Sequence, residues 1–291
     1  MEKGHTFEGH TYQVVDLVFT HESDVLISAG MDNQVRLWKA DSWEPIATIQ
    51  AHEKSVNCLA LSPHGMVLAT GSSDATVRLW NLPERSLIRT LQDRKKVVSD
   101  VAISADGSWV IAGSYGGRAG VWTLGGEEVV TIRASKKNLS SVAMSPNGAL
   151  LATAGLGGNV QVWHVPSGSP AATLSGHQTA VGSVCFISDG TQLVSLGYEG
   201  SIGLWDVQTW EQKKSIPLDD TGPRRLVISP DEQRAALSFE GRIQIWDLVS
   251  WTVSEELEVG TKAVGGLAFS PDGAWFAAGG ADGRIRTWKM P

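Results

Sequence analysis

The chain of 291 residues contains only two cysteines and no long apolar run. Cys58 and Cys185 lack the spacing of a metal-ligand pair, so we expect small buried thiols and no disulfide. No stretch approaches the ~18 apolar residues of a membrane-spanning helix, and the opening MEKGHTFEGH lacks the apolar segment of a signal peptide. The sequence therefore predicts a cytoplasmic protein without membrane attachment.

Positive charge is also sparse. The chain has 24 Lys and Arg against 31 Asp and Glu, which gives a net charge of -7. Its basic clusters are short, and none is longer than Arg94–Lys96 and Lys136–Lys137. Neutralising nucleic-acid phosphates requires a broad basic face, so no nucleic-acid partner is expected. The 42% hydrophobic and 19% charged residues are typical of globular proteins.

Tryptophan, in contrast, is abundant and recurs at a nearly constant spacing. Seven tryptophans follow one another at intervals of 41 or 42 residues: Trp38, Trp80, Trp122, Trp163, Trp205, Trp246 and Trp288. A period of about 40 to 45 residues with four short strands is typical of propeller blades. Hairpin turns such as His64-Gly65 and Asp106-Gly107 separate the strands. The sequence predicts an all-β, seven-bladed β-propeller of four-stranded antiparallel blades, with residues 1–291 as a single domain.

The two ends of the chain bear on how the ring closes. Only Lys289–Pro291 follow the last repeat tryptophan, too few for the outer strand that follows it in the other repeats. His5–Glu8 precedes Gly9-His10 as outer strands precede the later Gly-His pairs. We expect this N-terminal strand to complete the last blade, because ring closure protects sheet edges.

Two short pairs recur in the repeats: Trp-Asp at Trp205-Asp206 and Trp246-Asp247, and Gly-His at Gly9-His10 and Gly176-His177. With these pairs the sequence resembles the WD-repeat family over its whole length. The resemblance implies a hydrogen-bonded tetrad of His, Ser or Thr, Asp and Trp inside a blade. Three sets match, the third with Glu for Asp: His10, Ser28, Asp32, Trp38; His52, Thr70, Asp74, Trp80; and His177, Ser195, Glu199, Trp205. The other four repeats lack the tetrad, so we expect tryptophan packing to hold the blades together.

No catalytic or cofactor motif accompanies the repeats. GxSxG, HExxH, paired CxxC and GxxxxGK[ST] are all missing. The residues at the third position of the innermost strands are interpreted as solvated groups of a central channel, and together they would make a poor metal site. They are Asp16, Cys58, Asp100, Ser141, Ser183, Arg225 and Gly266. We therefore predict no catalytic residue, metal or cofactor, and no enzyme. The alternative is a propeller enzyme or small-ligand sensor that uses the channel.

One column of turn residues indicates where a partner binds. The resemblance implies docking on the face formed by the loops between blades and the turns between second and third strands. The residues before the tetrad acid position are Met31, Ser73, Tyr115, Leu156, Tyr198, Phe239 and Ala281. Such turns normally carry small polar residues, so large apolar ones suggest an interface. The predicted contacts are Met31, Tyr115, Leu156, Tyr198, Phe239 and Arg224; the alternative is that each ring folds over its own blade.

Charged loops and further tryptophans extend this hypothesis. Arg94–Lys96 and Lys136–Lys137 suggest a partner with an acidic segment that reaches the third and fourth blades. Four more charged residues are expected near the sixth blade: Asp219, Asp220, Arg224 and Arg225. Five more tryptophans are expected on the opposite face, either packing its rim or forming a second interface: Trp43, Trp109, Trp210, Trp251 and Trp275.

Taken together, these features predict a non-enzymatic protein-protein interaction scaffold. It would present a rigid propeller face to protein or peptide partners, as a monomeric propeller within larger assemblies. A purely structural role, in which the chain stiffens an assembly, is a further alternative. The sequence leaves the partner's identity open, and also whether the chain is one domain of a longer protein.

Overall fold

The computed structural model describes residues 1–92 and 96–291, without the side chains of Gln92 and Ser188. It confirms the predicted fold: an all-β, seven-bladed propeller with four antiparallel strands in each blade. A single 3-10 turn, Ser188–Gly190, is the one helical element among the described residues. That part of the chain has no helix long and apolar enough to cross a membrane.

The strands follow one another in hairpins along the chain. The first half comprises β1 (Glu2–Glu8), β2 (Val14–Phe19), β3 (Val25–Gly30), β4 (Gln34–Lys39), β5 (Pro45–Gln50), β6 (Val56–Leu61), β7 (Val67–Ser72), β8 (Thr76–Asn81), β9 (Ser86–Gln92), β10 (Val98–Ile103), β11 (Trp109–Ser114), β12 (Arg118–Thr123), β13 (Glu128–Arg133) and β14 (Leu139–Met144). The second half comprises β15 (Leu150–Gly155), β16 (Asn159–His164), β17 (Pro170–Ser175), β18 (Val181–Ile187), β19 (Gln192–Gly197), β20 (Ser201–Asp206), β21 (Gln212–Pro217), β22 (Arg225–Ile228), β23 (Arg234–Ser238), β24 (Arg242–Asp247), β25 (Thr252–Glu258), β26 (Val264–Phe269), β27 (Trp275–Gly280) and β28 (Arg284–Lys289). Blades 1 to 6 are β2–β5, β6–β9, β10–β13, β14–β17, β18–β21 and β22–β25, and blade 7 is β26–β28 with β1.

The chain forms two compact units. The first unit holds residues 1–59 and 224–291, and the second holds residues 60–223, so one division falls inside β6. The single domain expected from the sequence stays a prediction.

Burial along each blade explains why these segments form strands. The second strand of the blade is almost entirely buried, as in β15, where all residues after Leu150 are buried. The outermost strand is mostly exposed, and in β17 only Leu174 is buried. Short runs of Ala, Val, Ile and Leu suit sheets that are covered on both faces, as the sequence indicated.

The N-terminal strand completes blade 7 in the first unit, as predicted. β1 pairs antiparallel with β28, and Phe7 lies opposite Ile285. The Phe7 ring packs against two tryptophans of blade 1, with centroids 5.0 Å from Trp38 and 5.9 Å from Trp43. This strand therefore adds hydrogen bonds to one blade and apolar contacts to the next.

The third position of the innermost strand links one blade to the next within each unit. In the first unit the Asp16 carboxylate accepts the backbone N–H of Leu59 at 2.8 Å. In the second unit Asp100 accepts the N–H of Val142 at 2.8 Å, and Ser141 that of Val184 at 3.3 Å. Asp16 is only 1% exposed, so its interpretation as a solvated channel group is wrong. Its carboxylate stabilises the fold, because a buried backbone N–H without an acceptor costs free energy.

Candidate interaction surface

The turns between the second and third strands share one backbone feature in all seven blades. The residue after the tetrad acid position takes a positive φ in each: Asn33, Ala75, Gly117, Gly158, Gly200, Gly241 and Gly283. The turns in blades 3 to 5 close with hydrogen bonds such as Gly117 N–H to Ser114 O at 3.2 Å. Four of the predicted partner contacts, Met31, Tyr115, Leu156 and Tyr198, occupy the first central position of these tight turns.

Three of those contacts are exposed at equivalent positions of the second unit. Tyr115 is 46% exposed, Leu156 47% and Tyr198 36%. They lie on blades 3, 4 and 5, whose innermost strands contact one another in sequence. We call these three side chains the apolar row. Their role in partner binding stays a prediction.

A shared backbone hydrogen bond fixes the position of the apolar row. Each residue donates its N–H to the carbonyl just before the innermost strand of its own blade. The acceptors are Val97 for Tyr115, Asn138 for Leu156 and Ala180 for Tyr198, at 2.9, 3.0 and 2.9 Å. Because the same bond recurs in each blade, the side chains leave their blades in equivalent positions.

Phe239 departs from this pattern, and the prediction that it is a surface contact is wrong. It is only 1% exposed. Its N–H donates instead to Arg242 O at 2.9 Å across the turn, and the Arg242 guanidinium lies 5.3 Å from the ring centroid. Upstream, Pro223 precedes a shortened innermost strand that begins at Arg225. Proline has no N–H for the strand ladder, which accounts for the late start of this strand.

The first unit contributes the remaining predicted contacts. Met31 is 45% exposed, and its N–H donates to Gln13 O at 3.0 Å, like the residues of the apolar row. Arg224 is exposed and lies directly before β22. Sequence reasoning missed Tyr12, which is 63% exposed just before β2. An aromatic residue between a tetrad histidine and an innermost strand is the signal that could have identified it.

The predicted tetrad forms in blade 1. His10 Nδ1 lies 2.8 Å from the Asp32 carboxylate and Nε2 lies 2.8 Å from Ser28 Oγ. Trp38 Nε1–H donates to the same hydroxyl at 2.9 Å. Burial alone raises the pKa of Asp32, but hydrogen bonds, led by the one from His10, hold that pKa below its ordinary value.

In blade 5 a glutamate takes the place of the aspartate. His177 lies 2.5 Å from Glu199 and 2.7 Å from Ser195, which accepts Trp205 Nε1–H at 2.8 Å. Burial raises the pKa of Glu199, but hydrogen bonds, led by the one from Ser201, lower the pKa to about 2. The longer side chain therefore completes the tetrad.

Blade 2 contains the tryptophan–threonine hydrogen bond of its predicted tetrad. Trp80 Nε1–H donates to Thr70 Oγ1 at 3.0 Å, and His52 is buried. Asp74 accepts the N–H of Thr76 at 3.0 Å within the turn.

The blades without a histidine use other polar groups. In blade 7, Arg286 is 8% exposed and binds Asp282 with contacts of 2.6 and 3.1 Å. In blade 6, Trp246 donates to Gln244 at 3.2 Å. Blade 4 keeps a bond of 3.1 Å from Trp163 to Thr153. A polar partner for the tryptophan is therefore more widespread than the sequence motif.

The charged loops are only partly described. Lys96, Lys136 and Lys137 are exposed in the second unit, whereas Arg94 and Lys95 lie outside the described residues. Arg225 is not a surface loop charge, since its guanidinium lies 2.6 Å from the buried Asp16 carboxylate.

The additional tryptophans contribute to packing. Trp43 is 5% exposed, and its ring lies 5.1 Å from Trp275 in an edge-to-face contact. Trp109 and Trp210 are partly buried against hydrophobic clusters of the second unit. Trp251 is half-buried and has a φ of 58°. Trp43 and Trp210 also have a positive φ. The rim-packing alternative is thus observed for Trp43 and Trp275.

Within residues 1–92 and 96–291, no group of three or more His, Cys, Asp or Glu side chains is arranged to hold a metal ion.

Comparison with protein families yields a match to the WD40 family (WD domain, G-beta repeat). The matched residues are 1–39, 43–81, 85–123, 126–164, 168–206 and 253–289. Each stretch ends one residue after a repeat tryptophan. The repeat that ends at Trp246, where Phe239 is buried, lies outside these matches.

Among curated proteins, short matches occur to coatomer subunits. The chain is 37% identical over 54 residues to coatomer subunit beta'-3 of Arabidopsis thaliana, and equally to coatomer subunit beta' of Rattus norvegicus and of Homo sapiens. The matched segment covers 18% of this chain and 6% of each relative. The chain thus matches only a small part of these relatives.

Proposed function

We propose, because the chain belongs to the WD-repeat family, that it acts as a scaffold that binds partner proteins or peptides through the apolar row of Tyr115, Leu156 and Tyr198. The observation that carries this proposal is the exposure of 36–47% of these large side chains at turn corners. Aromatic side chains with neighbouring charges are typical binding hot spots.

The first unit supplies further contacts in this proposal. Met31 occupies the equivalent turn position, and Arg224 is an exposed cation before β22. They are proposed as partner contacts of the first unit by itself and are tested separately.

We infer that the chain contributes binding and no catalysis of its own. The histidines that resemble catalytic groups have both ring nitrogens engaged, as His10 does with Asp32 and Ser28. Because His10 is 4% exposed, it has no access to a substrate.

The proposed setting is a single propeller within a larger cytoplasmic assembly. The names of the matched relatives describe coatomer subunits, which supports a role as a component of an assembly. The cytoplasmic location is part of this proposal and is the expectation from the sequence.

Affinity purification with three baits tests the scaffold function. Wild type is compared with the triple variant Tyr115→Ala, Leu156→Ala, Tyr198→Ala. The control is Leu87→Ala with Ile88→Ala, which removes two side chains of the same unit that are 47% and 49% exposed on β9. We expect the same proteins with wild type and control, and their loss with the triple variant, while all three melt alike.

A fourth bait, Met31→Ala with Arg224→Ala, tests the first unit. Retention of every wild-type partner by both this bait and the triple variant would exclude the proposed surface.

A further inference from the structure

We propose that a cavity in blade 4 binds acidic side chains of a partner peptide. The cavity has a volume of about 400 Å³, within the usual range of roughly 300 to 1,000 Å³ for ligand pockets. This site deepens the scaffold function proposed above and rests on it. It specifies the chemistry of the segment that binds beside the apolar row.

The cavity occupies the place of a lost histidine and a lost acid. Counting back from Trp163, Ser135 stands where blade 1 has His10, and Gly157 where blade 1 has Asp32. Thr153 still accepts Trp163 Nε1–H at 3.1 Å, and both residues line the cavity. Blade 4 therefore keeps half of a tetrad and leaves the space of the other half open.

Glycines at one equivalent position show how the blades differ. In blade 1 a methyl group added at Gly30 would lie 2.3 Å from His10 Nδ1 and 2.5 Å from Asp32 Oδ1. In blade 4 the atoms nearest to a methyl group at Gly155 belong to the backbone, with Asn138 O at 2.2 Å and Leu139 Cα at 2.7 Å. Backbone atoms therefore lie beside this glycine where the histidine and the acid lie in blade 1.

Uncommitted hydrogen-bonding groups line the cavity. The side chains of Asn159 and Gln161 line it and make no hydrogen bond within the described part of the chain. Each carries an amide NH₂ that donates well to a carboxylate. Ser135 Oγ accepts the N–H of Lys137 at 3.0 Å, which leaves its hydroxyl proton as another donor.

Positive charge accumulates around the same cavity without a counterion. Arg133 and Lys136 line it, and Arg133 lies directly opposite Arg118 on the neighbouring strand. Like charges at opposed positions destabilise a sheet. Among the described residues, Arg118, Arg133, Lys136 and Lys137 make no ion pair, although the chain carries a net charge of -7. A carboxylate in the cavity would compensate this charge.

The neighbouring turn favours a peptide over a free anion. Leu156 of the apolar row directly precedes Gly157, which lines the cavity. A peptide that contacts Leu156 with an apolar side chain would therefore bring an Asp or Glu a few residues away to the cavity. The local basic cluster is too small for the broad phosphate contacts of nucleic acid.

Titration of a defined peptide tests the site. The probe is a fluorescent, N-acetylated and C-amidated hexaglutamate, with hexaserine and inorganic phosphate as comparison ligands. We expect saturable hexaglutamate binding that weakens with salt, because the contacts are charged. Arg133→Glu with Lys136→Glu should weaken it about tenfold or more. The control Lys214→Glu with Lys289→Glu makes the same charge change at exposed positions elsewhere and should leave binding within about twofold.

A second variant separates the cavity from the charge around it. Ser135→His with Gly157→Asp rebuilds the tetrad in blade 4 beside Thr153 and Trp163. Gly157 has no positive φ, so an aspartate fits its backbone. We expect this variant to melt at or above the wild-type temperature and to lose hexaglutamate binding, even though Arg133 and Lys136 remain.

The possible results lead to distinct conclusions. Loss of binding in both the charge-reversed and the rebuilt variant supports the cavity. Retained binding in the rebuilt variant, no hexaglutamate binding at about 1 mM peptide, or equal binding of phosphate or hexaserine overturns it. The affinity purification described above is independent of this titration, so failure of the cavity is distinguishable from failure of the scaffold function.

Discussion

The guanidinium of Arg225 lies 2.6 Å from the carboxylate of Asp16, which is 1% exposed. The same carboxylate accepts the backbone N–H groups of Leu17 and Leu59, each at 2.8 Å. One carboxylate thus pairs with a cation and accepts two backbone N–H groups. These three partners lie on three different strands of the first unit. Such a group is costly to remove because each of its partners loses a charged acceptor.

Replacing Asp16 with alanine should lower the free energy of unfolding by about 3 kcal/mol, because it removes the carboxylate that pairs with the Arg225 guanidinium and accepts two buried N–H groups. Asp16→Asn should cost less, since its amide oxygen still accepts one N–H group. Urea unfolding of the three proteins measures the difference. A loss below about 0.5 kcal/mol for Asp16→Ala would show that water replaces the carboxylate.

The tryptophan hydrogen bond of the tetrad should contribute measurably to stability. Trp38→Phe removes the donor to Ser28, whereas Trp122→Phe removes a ring of similar burial whose N–H makes no hydrogen bond to a described residue. We expect Trp38→Phe to cost about 1 kcal/mol more than Trp122→Phe. Chemical denaturation of both variants measures this, and equal losses would mean that packing alone accounts for the tetrad tryptophan.

Stability should fall in acid partly through Glu199. Its pKa of about 2 in the folded protein lies below the ordinary value of 4.5, so the ionised group stabilises the fold above about pH 4.5. That contribution is lost as the pH falls from about 4.5 towards 2. Glu199→Gln should therefore cost about 1 to 2 kcal/mol at neutral pH and almost nothing near pH 2, after allowance for solvent screening.

Denaturation curves at several pH values measure this dependence. Glu211→Gln is the control, because Glu211 is an exposed glutamate of the same repeat. It should leave the pH profile unchanged. A parallel shift of the Glu199→Gln profile at every pH would indicate a loss of packing rather than of charge.

The fold was predictable because its signal repeats. Seven tryptophans at one spacing define the blades, and the shortage of residues after Trp288 indicated that β1 completes blade 7. The pairing of Asp16 with Arg225 was not predictable, since it depends on which side chains from distant strands converge. The repeat period of the sequence alone does not show which side chains make such contacts.

The exposure of the turn residues was predictable only in the blades that keep the common form of the turn between the second and third strands. Tyr115, Leu156 and Tyr198 are exposed as the column suggested, but Phe239 is buried although it occupies the same column. The blade of Phe239 carries Pro223, which removes an N–H at the start of the innermost strand. The cavity in blade 4 was visible only as missing tetrad residues, because a sequence does not show whether neighbours fill a vacated space.

The N-terminal strand should contribute strongly to stability, because it forms one edge of blade 7 and packs its Phe7 ring 5.0 Å from Trp38. Deleting residues 1–8 should lower the melting temperature by on the order of 10 °C. Phe7→Ala alone should cost about 2 kcal/mol, since it removes a partly buried ring. The matched control is Glu8→Ala, whose carboxylate is 79% exposed and, among the described residues, pairs only with the exposed Arg284 on the same strand pair. Because exposed ion pairs contribute little, Glu8→Ala should melt like wild type. If the deletion also melted like wild type, blade 7 would be stable with three strands, and closure by β1 would be dispensable.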